Sequence, residues 1–220
     1  MDHLLEFLHL VFVGVVALFP PVNPLGTALI VDPLLRGLEA GQRKDAAKKI
    51  TLYCFIICTV SLLAGSWFLK LFGLTIPVVQ VGGGIMICKM GWQLLSPGNQ
   101  DRENREKATP APYDSISEIL FYPVAFPMTA GAGTIAVLLT LSAHSARSRA
   151  ADYFLNIAAL LLSVAIICLV IYLCYNYTPR MIRRLGSRGA QIVNRLSAFF
   201  VFCVGIQITV EGLTNLFPKK

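Results

Sequence analysis

An all-α integral membrane fold, with six transmembrane helices forming two inverted three-helix repeats and helices one and four broken, is predicted by three observations. Hydrophobic residues make up 55% of the 220 and charged residues only 14%. The charges cluster in short segments between long apolar runs. Two Pro/Gly-rich apolar segments align without a gap at an offset of 107 residues, pairing Phe19 with Phe126, Pro20 with Pro127, Gly26 with Gly133 and Thr27 with Thr134.

The hydrocarbon core of a bilayer is about 30 Å thick, so a helix needs roughly 20 apolar residues to cross it. Uncharged stretches that reach or approach this length occupy residues 10–31, 50–69, 71–88, 119–143 and 153–178. A sixth, 196–210, is shorter, but Arg195 and Glu211 flank it, where long side chains reach the headgroups. Period-two alternation is missing from all six, which favours helices over barrel strands.

The net charge of +7 would suggest nucleic acid in a soluble protein. Here the basic residues lie between the apolar runs instead, and no nucleic acid partner is expected. The first, third and fifth loops hold Arg36, Arg43, Lys44, Lys48 and Lys49, then Arg102, Arg105 and Lys107, then Arg180, Arg183, Arg184 and Arg188. The other side has Lys70, Arg147, Arg149, Lys219 and Lys220. By the positive-inside rule the odd loops face the cytoplasm and both termini face outward, into the periplasm if the membrane is a bacterial inner membrane. The start Met1-Asp2-His3, with Glu6 close behind, lacks the basic region of a secretory signal and reads as a retained first helix.

Further matches extend the internal repeat: Ile56-Ile57-Cys58 recurs as Ile166-Ile167-Cys168, and Gly91-Trp92-Gln93 as Gly205-Ile206-Gln207. Three crossings return the chain to the opposite face, so the second copy is inverted, a recurring plan of secondary transporters. The halves are residues 1–95 and 119–220. Residues 96–118, with Pro97-Gly98, a mixed-charge run and Pro110-Ala111-Pro112, form a cytoplasmic linker.

The candidate site lies where the helices must break. Pro20, Pro21 and Pro24 interrupt the first span; each lacks an amide donor, and Pro24 also biases Asn23 away from helical dihedrals. Pro123, Pro127, Gly131 and Gly133 repeat the problem in the fourth span. Broken backbone at membrane depth must be buried in protein or line a wet cavity. Two matched breaks in inverted halves bring two half-helix amino termini toward one midplane site, where unpaired amides and the positive dipole end favour an anionic group such as a carboxylate. Gly26, Gly131 and Gly133 admit close approach to the backbone, and Asn23, Thr27, Thr129 and Thr134 supply side-chain hydrogen bonds.

Elsewhere the bland reading is preferred. Gly82-Gly83-Gly84 suits tight helix packing, the six cysteines read as packing residues, and Gln80, Gln93 and Gln207 are polar within or near apolar helices. Ionisable residues such as Lys89 and Glu118 fall near span ends. Neither a Walker loop nor a His-Glu-x-x-His pattern nor a nucleophile elbow occurs, so no enzyme, metal or cofactor is expected.

Asn23-Pro24-Leu25-Gly26, the run from Pro127 through Gly131-Ala132-Gly133-Thr134-Ile135 and the charged linker together resemble the MarC family of small bacterial membrane proteins, also classed with neutral amino acid transporters. The family pattern has Gly-Pro-Gly where this chain has Ala132 between its two glycines, which softens the second break. The resemblance implies six spans, a bacterial inner membrane location and transport of small neutral amino acids such as alanine or glycine. Lipid, a small-molecule solute and a homo-oligomer are the partners considered. A non-transporting scaffold or regulatory protein and a multidrug exporter are the alternative readings.

Overall fold

In lipid, apolar runs of this length satisfy their own backbone as helices. The computed structural model describes residues 2–35, 38–96, 119–145 and 150–217, and no strand occurs among them. Helix α1 (Asp2–Val22) leads through Asn23 into α2 (Pro24–Val31) and a 3-10 turn, Asp32–Leu35. Then come α3 (Ala40–Leu71), α4 (Ile76–Leu95), an irregular segment Leu120–Thr129, and α5 (Ala132–Ser145). A last helical run, Ala150–Leu216, is interrupted at Gly186 into two spans, α6 (Tyr153–Arg184) and α7 (Arg188–Leu216).

Among the described residues, five stretches are long and apolar enough to cross a membrane, with α1 and α2 counted together as Leu4–Leu35; the pair Leu120–Thr129 and α5, bent by 60°, makes a sixth if it is one span. This is an all-α integral membrane protein. Boundaries follow local chemistry. Helix α3 starts with a capping box, Gln42 Oε1 accepting from the Glu39 amide at 3.1 Å. It ends in a left-handed Gly73 (φ 62°), with Gly73 N donating to Lys70 O and Leu74 N to Leu69 O.

That turn corrects the expected third stretch, 71–88: Phe72, Gly73 and Leu74 are apolar but leave the helix, and the span is Ile76–Leu95. Hydropathy cannot see an apolar turn. The fifth loop is likewise largely helix, since Arg180, Arg183 and Arg184 ride on the end of α6, and α7 runs well beyond the expected 196–210. Gly186 makes the actual break at φ 69°, ψ 172°, a conformation nearly reserved for glycine. The linker expected at 96–118 lies, except for Ser96, outside the described residues.

Packing follows an exchange of halves. Span one packs on α6, span four on α3, and α4 on α7. The detail is residue-specific. A Cβ on Gly91 would meet the Phe202 amide nitrogen at 2.6 Å, and one on Gly205 would meet the Cys88 amide nitrogen at 2.5 Å. Since Gly91 matches Gly205, and Cys88 by the same offset matches Phe202, each contact is the image of the other. Similarly, Gly14 packs against Ser163, while their repeat counterparts Phe121 and Tyr53 meet edge to face at 5.4 Å between ring centroids. The matched Cys58 and Cys168 are both buried in the core between the halves. Within the triple glycine, Gly83 faces Ala136 on α5 and Gly84 faces Thr209 on α7, whereas Gly82 faces open space.

Candidate functional site

The first span breaks at one residue. Asn23 adopts a left-handed conformation (φ 44°, ψ 59°), which asparagine tolerates better than most residues and which escapes the clash that Pro24 imposes on a right-handed turn. Its side chain then caps α2, Oδ1 accepting from the Gly26 amide at 3.3 Å. Helical bonds persist across the break, Asn23 N to Phe19 O and Thr27 N to Asn23 O, both 2.9 Å. Hence the span is interrupted yet keeps its course, although Pro20 and Pro21 lie inside α1.

The fourth span breaks more deeply. Tyr122 (φ −123°, ψ 121°) and Phe126 (φ −129°, ψ 125°) are extended, as expected of residues preceding Pro123 and Pro127. Both X-Pro peptides are cis. The interruption closes at Ala130 (φ −105°, ψ 68°), after which α5 begins. Ala130 is the repeat counterpart of Asn23, so the two breaks fall at the same place in each half.

Segments from the two breaks touch, α2 against Leu120–Thr129 and α1 against α5. Thr27 and Thr129 both approach one phenol: Tyr175 of α6 lies 2.9 Å from Thr129 Oγ1, with Thr27 beside it. Thr129 also donates to Val124 O at 2.8 Å, and Thr27 to Asn23 O at 2.9 Å, so these hydroxyls tie the frayed backbone. Asn23, Thr27, Thr129, Thr134 and Tyr175 are all at most 3% exposed. Among the described residues the cluster is enclosed.

Two polar atoms of this enclosed set stand apart. Among the described residues, Asn23 Nδ2 and Thr134 Oγ1 have no hydrogen-bond partner. Burying such a group costs about 1–3 kcal/mol.

The glycines have different neighbours. A Cβ on Gly26 would overlap the Asn23 amide, one on Gly131 the Pro127 carbonyl, and one on Gly133 the Ile87 side chain of α4. Gly133 therefore secures the α4–α5 contact. Of the helix breakers, Pro24 is buried, Pro20 half-buried and Pro127 exposed. Tyr175 was missed by sequence reasoning, because tyrosines toward the end of an apolar helix, here Tyr172, Tyr175 and Tyr177, read as interface anchors; full burial with a satisfied hydroxyl is what distinguishes Tyr175. A separate groove of about 360 Å³ opens between α3 and α6, walled by residues such as Lys48, Phe55, Cys168 and Tyr172, and no residue of the breaks lines it.

The model of the MarC family, described as integral membrane proteins, matches residues 8–217. The chain belongs to the MarC family. Among its MarC relatives are the UPF0056 inner membrane protein MarC of Salmonella paratyphi A, 26% identical over 97% of this chain and 98% of the relative. The protein of the same name from Escherichia coli O1:K1 is 27% identical over the same shares. No solved structure matches the chain.

Proposed function

We propose that this MarC protein is a secondary transporter of small solutes in a bacterial inner membrane, with neutral amino acids such as alanine or glycine as substrates. The substrate is held between spans one and four, and no catalytic step is involved. Both termini face the periplasm, as the basic residues of the odd loops direct. The observation that carries this reading is the pairing of two backbone breaks with two unpartnered buried polar atoms, Asn23 Nδ2 and Thr134 Oγ1. Polar groups at membrane depth that lack a protein partner are expensive, and a solute supplying the missing bonds repays that cost. The amino ends of α2 and α5 suit a carboxylate, and the carbonyls freed by the breaks suit an ammonium group.

The inner membrane location draws support from the names of the relatives. Purified protein in liposomes should carry labelled alanine or glycine under a proton, sodium or substrate gradient, and Asn23→Ala should slow it at least tenfold. Absence of flux under every gradient would overturn the substrate class; full activity of the variant would overturn the site. Gly133→Val is a poor probe, because it would strike Ile87 and disturb packing between α4 and α5.

A further inference from the structure

Helix α7 packs on α4 through Gly205, Thr209 and Gly212 and turns its opposite face outward. That outward face follows an alternating four-and-three spacing: Leu196, Phe200, Cys203, Gln207, Val210, Thr214 and Phe217, all exposed. Such spacing is the seam of a left-handed helix pair. Lipid would cover most of these side chains at no cost. Gln207 is the exception.

Depth decides its meaning. Thr209 packs at Gly84, and Gly205 at Cys88, so Gln207 lies level with the middle of α4, a 20-residue helix about 30 Å long. A primary amide there faces the hydrocarbon centre, where lipid offers neither donor nor acceptor. Glu211 follows one turn later on the flank of the same face.

We propose that α7 mates in parallel with α7 of a second copy of this chain, about a twofold axis along the membrane normal, with the two Gln207 amides paired across it. An amide both donates and accepts, so it is its own complement across a twofold axis. Copies inserted the same way present it at the same depth. Thr214 gives its hydroxyl to Val210 O, so Gln207 is the seam side chain that fixes register, because any slip leaves both amides unpaired.

Cys203 lies on the seam one turn from Gln207 and is exposed, while Cys54, Cys58 and Cys168 are buried. Mild oxidation of the full-length protein in liposomes should give a species of twice the mass that disappears in Cys203→Ser. Moving the thiol a quarter-turn off the seam, in Cys203→Ser with Ile206→Cys, should leave monomer. Gln207→Leu should weaken association about fivefold in a dilution series read by fluorescence transfer. Wild-type protein that stays monomeric on oxidation, or that crosslinks equally from position 206, overturns the proposal, as does unchanged association of the leucine variant.

Discussion

The Tyr175 hydroxyl lies 2.9 Å from Thr129 Oγ1, joining α6 to the interrupted fourth span inside the core. Phenylalanine at 175 keeps the ring and removes this bond, and Thr129 retains its bond to Val124 O. We expect Tyr175→Phe to cost about 1 kcal/mol, seen as a lower melting temperature in detergent. An unaltered melt would show that the phenol does not hold the break.

Thr134→Val should behave in the opposite sense. The substitution is nearly isosteric and deletes a buried hydroxyl that has no partner among the described residues. Stability should hold or rise, by up to about 1–3 kcal/mol, while solute flux falls. Loss of stability would reveal a bond made to Thr134 within the protein itself.

Asp32 and Arg43 form an ion pair, with side chains 5% and 13% exposed, that ties the end of span one to the start of α3. Arg43→Ala leaves a buried carboxylate without this partner and should destabilise by about 3–5 kcal/mol. Thermal unfolding and membrane yield both report it. The double variant Asp32→Asn with Arg43→Met should recover part of the loss.

Glycines of the α4–α7 contact should rank by their surroundings. Gly91→Ala and Gly205→Ala place a methyl against backbone atoms of the facing helix and should each cost about 1–3 kcal/mol. Gly82→Ala meets nothing within 4 Å and should be tolerated. Comparable losses at all three positions would contradict the packing.

Gly186→Ala forces a side chain onto φ 69°, ψ 172° at the joint between α6 and α7. A penalty of about 1–3 kcal/mol is expected, and limited proteolysis near the joint should accelerate.

Much of this architecture was legible because lipid narrows the choices to helices of one minimum length. Gly91 and Gly205, matched in the sequence, make mirror contacts. What stayed hidden has local causes. Phe72, Gly73 and Leu74 in the turn are apolar, so hydropathy ran through it. Basic residues from Arg180 to Arg184 looked like a loop, yet arginine is a good helix former and α6 simply continues. At the site, the prolines marked both breaks, but not that Asn23 would interrupt the first span without diverting it. Gly133 looked like room for a ligand, and the sequence did not show that Ile87 packs against it. Tyr175 lies away from the paired breaks, in a helix whose proline, Pro179, follows it by one turn.

The lone phenol also sets the two ends of the molecule apart. If the halves trade conformations to expose the site alternately, perfect repetition would leave the inward-open and outward-open forms equally populated. With tyrosine at 175 and glycine at 65, one form keeps a bond that the other has no means to make. A difference of about 1 kcal/mol skews two populations roughly fivefold, so such an exchange would carry a preferred resting direction even without solute or voltage.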